Sequence, residues 1–374
     1  MPIEVREIGS RKDLRDFIYL PEKIHRGHAE WVPPIYVDEW SYFNPKKNRS
    51  FEYCDTVRVL AIQDGQVTGR VMGIINHRHN AAQGIRNGRF CYLECPDDQE
   101  TVHALLSYIE KWAMNRGMEK LVGPYGFSDQ DPEGFIIEGQ EYPATIACYY
   151  NYDYLVELVE NEGYTKEVDY VVYQVPVPAE IPGFYRKIYE RSLRSGEFRL
   201  KEFTSRRQIK PYIHSVFKLM NETYSHLYGF VPLEPKEMDD LTRRYLPVLD
   251  PRFIKIVLRN EEVVAFALGI PNMIPGIRKS RGRLLPFGLL YILRAGKKTN
   301  QLDMLLGAVK EKFRGRGLDV MMGLKILESA SRAGMTVIDS HHELEMNAKM
   351  RAENERMGGK IIKRYRVYQK SLIS

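Results

Sequence analysis

Asp64-Gly-Gln-Val-Thr-Gly-Arg-Val-Met-Gly-Ile-Ile-Asn76 and Asn260-Glu-Glu-Val-Val-Ala-Phe-Ala-Leu-Gly-Ile-Pro-Asn272 stand 196 residues apart and read alike. Each is an apolar run reached across a polar turn, Asp-Gly in one and Asn-Glu in the other, the pattern of a β-hairpin. Gly73, Ile74 and Asn76 fall opposite Gly269, Ile270 and Asn272. The match extends downstream. Gly163-Tyr-Thr-Lys-Glu-Val-Asp-Tyr-Val-Val-Tyr-Gln174 aligns with Gly358-Gly-Lys-Ile-Ile-Lys-Arg-Tyr-Arg-Val-Tyr-Gln369 at an offset of 195.

Between these anchors both halves carry a strand, a helix, a Gly-Met pair and another strand. In the first half Phe90–Glu94 predicts a strand. The following helix has Val102, Leu105, Leu106, Ile109, Trp112 and Ala113 on one face and stops at Gly117, before a strand from Leu121. In the second half Met304–Val309 is a strand. Its helix presents Leu318, Met322, Ile326, Ala330 and Ala333, stops at Gly334 and leads into the strand Met335–Asp339. Anchors in the same order at a nearly constant offset predict two copies of one α/β (α+β) unit, each a mixed, largely antiparallel sheet flanked by helices. The proline-rich Val175–Pro182 suits a linker and divides the chain into 1–178 and 179–374.

The 374 residues fit two domains of roughly 150 residues or more. With 44% apolar and 28% charged residues the chain builds cores and is not disordered. Its longest nearly unbroken apolar run, Leu284–Leu293, is too short to span a bilayer, and the charged N-terminus does not read as a secretory signal. Cys54, Cys91, Cys95 and Cys148 do not form a disulfide framework. No second Cys/His pair follows Cys91 and Cys95 closely, so buried thiols and no metal are expected. A cytoplasmic protein is the default. The charge is uneven: residues 1–180 carry a net −11 and residues 181–374 a net +17. The basic half therefore holds an anionic ligand, binds nucleic acid or faces the acidic half.

The two copies differ most where strand meets helix. The second has Arg314-Gly-Arg-Gly-Leu-Asp319. Glycines there let the backbone turn sharply and approach a ligand, and the first N–H groups of the helix are unpaired. With the positive end of the helix dipole and two arginines they suit a phosphate or pyrophosphate. The first copy has Cys95-Pro-Asp-Asp-Gln-Glu100 in that place, with three carboxylates and no glycine, and would repel the same anion.

At these residues the chain resembles the GNAT acyltransferase superfamily, whose signature before a helix is Arg/Gln-x-x-Gly-x-Gly/Ala. Arg314, Gly317 and the interior of the loop match; Asp319 stands where a small residue is usual. Downstream Asn347 and Gly358 match, while Asn354 takes the position of the tyrosine that protonates the departing thiolate. Gly69-Arg70, Asn76…Asn80, Trp112…Gly117, Gly123-Pro124, Asp169…Tyr173, Glu345…Asn347 and Tyr365-Arg-Val-Tyr368 extend the likeness, over nearly the whole chain, to a bacterial family of tandem GNAT-like proteins. The resemblance implies acetyl-CoA or another acyl-CoA in the second copy only. Its pantetheine arm would pair with Met304–Val309, and its contacts would be Val309, Arg314, Gly315, Arg316, Gly317, Leu318 and Asn347. The acyl group would pass to an amine on a small or peptide-like acceptor held between the copies.

Such a transfer needs a base for the amine and a proton for the leaving sulfur. Ser340-His-His-Glu-Leu-Glu-Met-Asn347 follows a predicted strand, where active groups often gather. Glu345 and His342 are the candidates for the base, and Asn354 holds the acid's position. Helix-terminal carboxylates for Glu343 and Glu345, and an N-cap for Asn347, are the structural alternatives. Asp303 and Glu311, beside the cofactor strand, read as solvated surface. Gly126–Gly134 is a substrate-recognition loop or a solvated one. Arg278–Lys298, basic at both ends, reads as a core helix with solvated ends, with contact to an anionic membrane or an acyl chain as the alternative. Two rival functions stay open: a non-catalytic acyl-CoA-binding protein, and an aminoacyl-tRNA-dependent transferase whose basic half holds tRNA. Other nucleic-acid binding is disfavoured, because no recognition helix or aromatic RNA motif is present.

Overall fold

Both hairpins anticipated from the sequence form, and both turn through residues at positive φ: Asp64 and Gly65 in one, Asn260 and Glu261 in the other. The computed structural model describes residues 3–146, 148–194 and 196–373. Among the described residues fourteen strands make one continuous sheet. They are β1 (Glu4–Glu7), β2 (Cys54–Gln63), β3 (Gln66–Asn76), β4 (Asn87–Glu94), β5 (Lys120–Gly123), β6 (Phe135–Glu138), β7 (Thr165–Pro176), β8 (Arg199–Lys201), β9 (Ile254–Arg259), β10 (Glu262–Pro271), β11 (Gln301–Val309), β12 (Val337–Ser340), β13 (Glu343–Leu344) and β14 (Lys360–Ser371). Their order is β1-β2-β3-β4-β5-β14-β7-β12-β11-β10-β9-β8, with β6 beside β14 and β13 beside β7.

The duplication is visible element by element. Helix Gln99–Met114 lies between β4 and β5, and helix Leu318–Arg332 between β11 and β12. In each copy the strands flanking this helix are parallel neighbours and the other principal pairings are antiparallel. The first helix buries Val102, Leu105, Leu106, Ile109, Trp112 and Ala113 against one core, and the second buries Leu318, Met322 and Ile326 against another. Gly69 lets the first helix lie close on β3: a Cβ there would come within 2.8 Å of Thr101 Cγ2.

The last strand of each copy crosses to the other. β14 inserts between β5 and β7, and β7 between β14 and β12. The division at 178/179 read from the sequence therefore does not divide the sheet. At the centre of the exchange Asp169 lies opposite Arg366, whose Nε and Nη2 donate to its two carboxylate oxygens at 2.8 and 3.0 Å. Lys166 adds a third contact at 2.8 Å. The uneven charge finds its partner in the same way. Arg244 meets Asp38, Arg278 meets Glu30, Arg283 meets Glu22 and Lys370 meets Glu110, each pair joining the basic half to the acidic one.

Candidate active site

β11 and β12 pair only from Gln301/Val337 to Met304/Ser340. Beyond that point they part, so Leu305–Val309 has β10 on one side and, among the described residues, no strand on the other. The pairing with β10 slips between Leu268 and Gly269, leaving Leu305 as the extra residue of a bulge at the apex of the opening. The hydroxyl of Tyr224, at the end of helix Ile213–Tyr224, reaches into the gap. It accepts from the N–H of Gly307 at 3.1 Å and donates to the carbonyl of Gly307 at 2.9 Å. The backbone edge is thus turned outward, ready for an extended partner.

A short 3-10 turn, Glu311–Phe313, leads from the strand into the glycine turn. Gly315 and Gly317 have φ of +76° and +77°, and Gly317 is the N-cap of helix Leu318–Arg332 with no side-chain cap. Among the described residues no hydrogen bond takes the N–H groups of Gly315, Gly317, Leu318 or Asp319. Arg314 folds its Nε to the carbonyl of Val309 at 3.4 Å and has no ion pair among the described residues, whereas Arg316 meets Glu197 at 2.7 Å. Donors, dipole and one unpaired guanidinium converge here, which is the chemistry of an anion cradle.

The first copy is closed at both places. Its equivalent helix is capped by its own Asp98, whose carboxylate accepts from Thr101 N–H at 3.2 Å. Tyr149 sits against the bulged strand, its hydroxyl accepting from the N–H of Tyr92 at 3.1 Å, within an aromatic core that includes Phe43 and Phe127. Removing that hydroxyl in Tyr149→Phe leaves a buried N–H unpaired and is expected to cost about 1–3 kcal/mol in urea unfolding.

On the sheet face opposite helix Leu318–Arg332, beside the paired stretch of β11 and β12 that precedes the opening, lies a cavity of about 440 Å³. Its walls come from both halves: Tyr142, Thr145 and Gln174 from the first, Asn272, Asp303 and Lys363 from the second. Asp303 is 2% exposed, and its Oδ2 is buried without a hydrogen-bond partner. Burial pushes its carboxyl up to about 7. Gln301 Nε2 donates to Asp303 and to Asp339, both at 2.8 Å, and Lys363 donates to Thr145 Oγ1 at 2.9 Å. The expectation that Asp303 is solvated surface fails because the parallel register sets it beside Asp339 under the first half of the chain.

The sequence candidates scatter. Glu345 is paired with Lys166 at 2.8 Å and with Arg364, and these contacts hold its carboxyl below the usual range, which opposes use as a base. His342 is buried between Tyr170 and Tyr365 with Nδ1 3.7 Å from Glu133. Burial, with Lys363 adding to it, lowers its pKa to about 3, so the ring is neutral. His341 Nε2 faces the carbonyl of Ile146 at 3.0 Å and Cys148 Sγ at 3.6 Å. Asn354 is buried and donates to Glu343 Oε1 at 2.8 Å, and burial raises Glu343 to about 7. Asn347 caps helix Ala348–Arg356, its side chain accepting from Met350 N–H at 3.4 Å. Val309, Arg314, Gly315, Arg316, Gly317 and Leu318 are brought together by the strand-turn-helix. The sequence assigns Asp303 to the surface and does not single out Tyr224, since the places of both depend on which strands part.

No protein-family model matches the chain. Bacterial ceramide synthase of Caulobacter vibrioides (strain NA1000 / CB15N) is 27% identical, the alignment covering 99% of this chain and 98% of that protein. Protein YghO of Escherichia coli (strain K12) is 23% identical over 98% of this chain and 95% of that one. Among solved structures, a tandem GNAT protein from the clavulanic acid biosynthesis pathway superposes with a TM-score of 0.56 at 12% identity, covering 100% and 99% of the two chains. A GCN5-related N-acetyltransferase from Sphaerobacter thermophilus gives 0.52 at 13%, covering 100% and 96%. With its duplicated units, parting parallel strands and glycine turn, the chain has the fold of the tandem GNAT proteins.

Proposed function

We propose that this protein is an acyl-CoA-dependent N-acyltransferase built of units 1–178 and 179–374, with acyl-CoA bound by the second unit and the amine held between the two. The observation that carries this is one strand serving three places. β11 begins at the carboxylate-lined cavity (Asp303), continues as an open edge (Leu305–Val309) and leads through a short 3-10 turn (Glu311–Phe313) to the glycine turn (Arg314–Gly317). In this reading the pyrophosphate lies on the N–H groups after Arg316 and the pantetheine arm adds as a strand to Leu305–Val309, displacing the Tyr224 hydroxyl from Gly307. The thioester then reaches the apex beside the cavity.

The amine nitrogen attacks the thioester carbonyl. A carbon–nitrogen bond forms, the carbon–sulfur bond breaks, the amine's proton passes to Asp303 and the thiolate leaves with a proton from Tyr224. A main-chain N–H at the Leu305 bulge holds the carbonyl oxygen as charge develops. The ceramide synthase relative, aligned end to end, supports a long-chain amino alcohol as the acceptor.

The test is incubation of the purified chain with an acyl-CoA series and a panel of amines, following free thiol release and the amide by mass spectrometry. Asp303→Asn is expected to lower kcat by about 100-fold or more with little change in acyl-CoA affinity. Because a base must be deprotonated, kcat should rise with pH through about 7, where burial places Asp303. Acyl-CoA binding with no amide formed from any amine would contradict the reading.

A further inference from the structure

The segment between β10 and β11 is where the second copy has grown. The first copy joins β3 to β4 through ten residues, 77–86, whereas the second takes twenty-nine, 272–300. The added chain forms two helices, Ile274–Ser280 and Gly288–Lys298. It is firmly built. Gly276 packs so tightly on the second helix that a Cβ would come within 2.5 Å of Ile292 Cα, the carbonyl of Gly282 accepts from Tyr36 N–H at 3.1 Å, and Arg283 pairs with Glu22 at 2.7 Å.

The expectation of a core helix fails here, because the helix turns most of its apolar residues outward. Leu285 is 85% exposed, Leu290 62% and Phe287 59%, with Leu289 and Leu293 exposed beside them, while Gly288 and Ile292 face inward. Among the described residues these five are an unusual concentration of uncovered apolar side chains at the tip of one rigid element. The charges around the tip have one sign. Residues 274–299 include Arg278, Lys279, Arg281, Arg283, Arg294, Lys297 and Lys298 and no Asp or Glu. Arg278 and Arg283 pair with acidic residues of the first half, but Lys279, Arg281, Arg294, Lys297 and Lys298 have no ion pair among the described residues. Arg294, Lys297 and Lys298 continue the exposed side of the helix beyond Leu293.

We infer that this helical hairpin is a membrane-docking element that sets Leu285, Phe287, Leu289, Leu290 and Leu293 into the surface of an anionic phospholipid bilayer, with the unpaired basic residues on its headgroups. An exposed apolar face bordered by lysine and arginine binds such a surface through buried apolar area and charge attraction together. The charge pattern selects this occupant: a second copy of the chain would bring the same uncompensated basic residues face to face. No described helix is long and apolar enough to cross a membrane, so the element lies in the interface. Ile274, Pro275 and Arg278 of the same hairpin line the cavity that holds Asp303. A lipid amine therefore has a short route from the bilayer into the cavity; this last step rests on the acyl-transfer reading, whereas the docking surface does not.

Flotation of the full chain with vesicles, without acyl-CoA or amine, tests the surface alone. Binding is expected to vesicles of phosphatidylglycerol and phosphatidylcholine in equal parts, to weaken with salt, and to be much lower on phosphatidylcholine alone. Leu285→Glu with Leu290→Glu should reduce binding at least about tenfold, and Arg294→Glu or Lys297→Glu about fivefold each on anionic vesicles. These positions are exposed, and circular dichroism checks that the variants fold. Phe287→Trp gives an independent reading, with its emission shifting to the blue on anionic vesicles and quenched by brominated lipid. Absence of flotation, variants that bind like the parent, or a chain that dimerises through Leu285 and Leu290 without binding vesicles would each overturn the inference.

Discussion

Gly315→Glu and Gly317→Val are each expected to weaken acyl-CoA binding by at least about 100-fold, for different reasons, while the protein stays folded. At Gly315 a Cβ would meet nothing within 4 Å, so a glutamate side chain fits. It places a carboxylate at a turn whose free N–H groups and helix dipole favour anions, and the φ of +76° adds a strain of roughly 1–2 kcal/mol. At Gly317 the φ is +77°, and a Cβ would lie 2.8 Å from Ile188 Cγ2 and from Ser192 Oγ. Valine there must move the helix start against helix Gly183–Arg194, taking the N–H groups of Leu318 and Asp319 out of line. Calorimetric titration of each variant with an acyl-CoA checks both. Because the first copy caps the same helix position with Asp98, no second binding event is expected to mask the loss.

The second large effect concerns the exchanged strands. Asp169→Asn is expected to destabilise the protein by about 1–3 kcal/mol, since it takes the buried carboxylate from Arg366, whose own side chain is partly exposed. Replacing both Asp169 and Arg366 by apolar residues of similar size should cost less than Asp169→Asn alone, because no charge is stranded. The pH dependence has a definite sign. Burial would raise the Asp169 carboxyl, but Arg366 and Lys166 more than offset it and hold it below its usual value. The folded state therefore binds this proton more weakly than the unfolded state. The pair's contribution is complete above the unfolded carboxyl value near 3.9 and is lost as pH falls through the lower, folded value. Urea unfolding from neutral pH into that acid range should show the parent losing stability that the double apolar variant, which lacks the titrating carboxylate, does not lose.

Local patterns were legible because they act through neighbours in sequence. The face of Val102, Leu105, Leu106, Ile109, Trp112 and Ala113 needs only the helical period, and Gly117 and Gly334 end their helices at positive φ as read. The glycine turn was legible too, since its geometry follows from Gly315 and Gly317 alone. What the sequence left hidden depends on pairing between distant segments. Nothing in Thr165–Pro176 says that it crosses to the other copy, for its alternation suits either sheet. Asp303 reads as surface until β12 is laid beside β11, and Glu345 reads as a free carboxylate until Lys166 and Arg364 arrive from β7 and β14. The apolar Leu284–Leu293 reads as buried by the general rule for such runs, and departs from that rule because the chain there extends past its own core.

The central claim is that acyl-CoA lies along β11 and the glycine turn of the second copy alone. Amide hydrogen exchange with and without a saturating acyl-CoA tests it directly. Slower exchange is predicted at Leu305–Val309 and at residues 315–319, with no change at Phe90–Glu94 or Gln99–Val102. Protection confined to the first copy, or the same exchange at Leu305–Val309 and 315–319 with ligand bound, would contradict it.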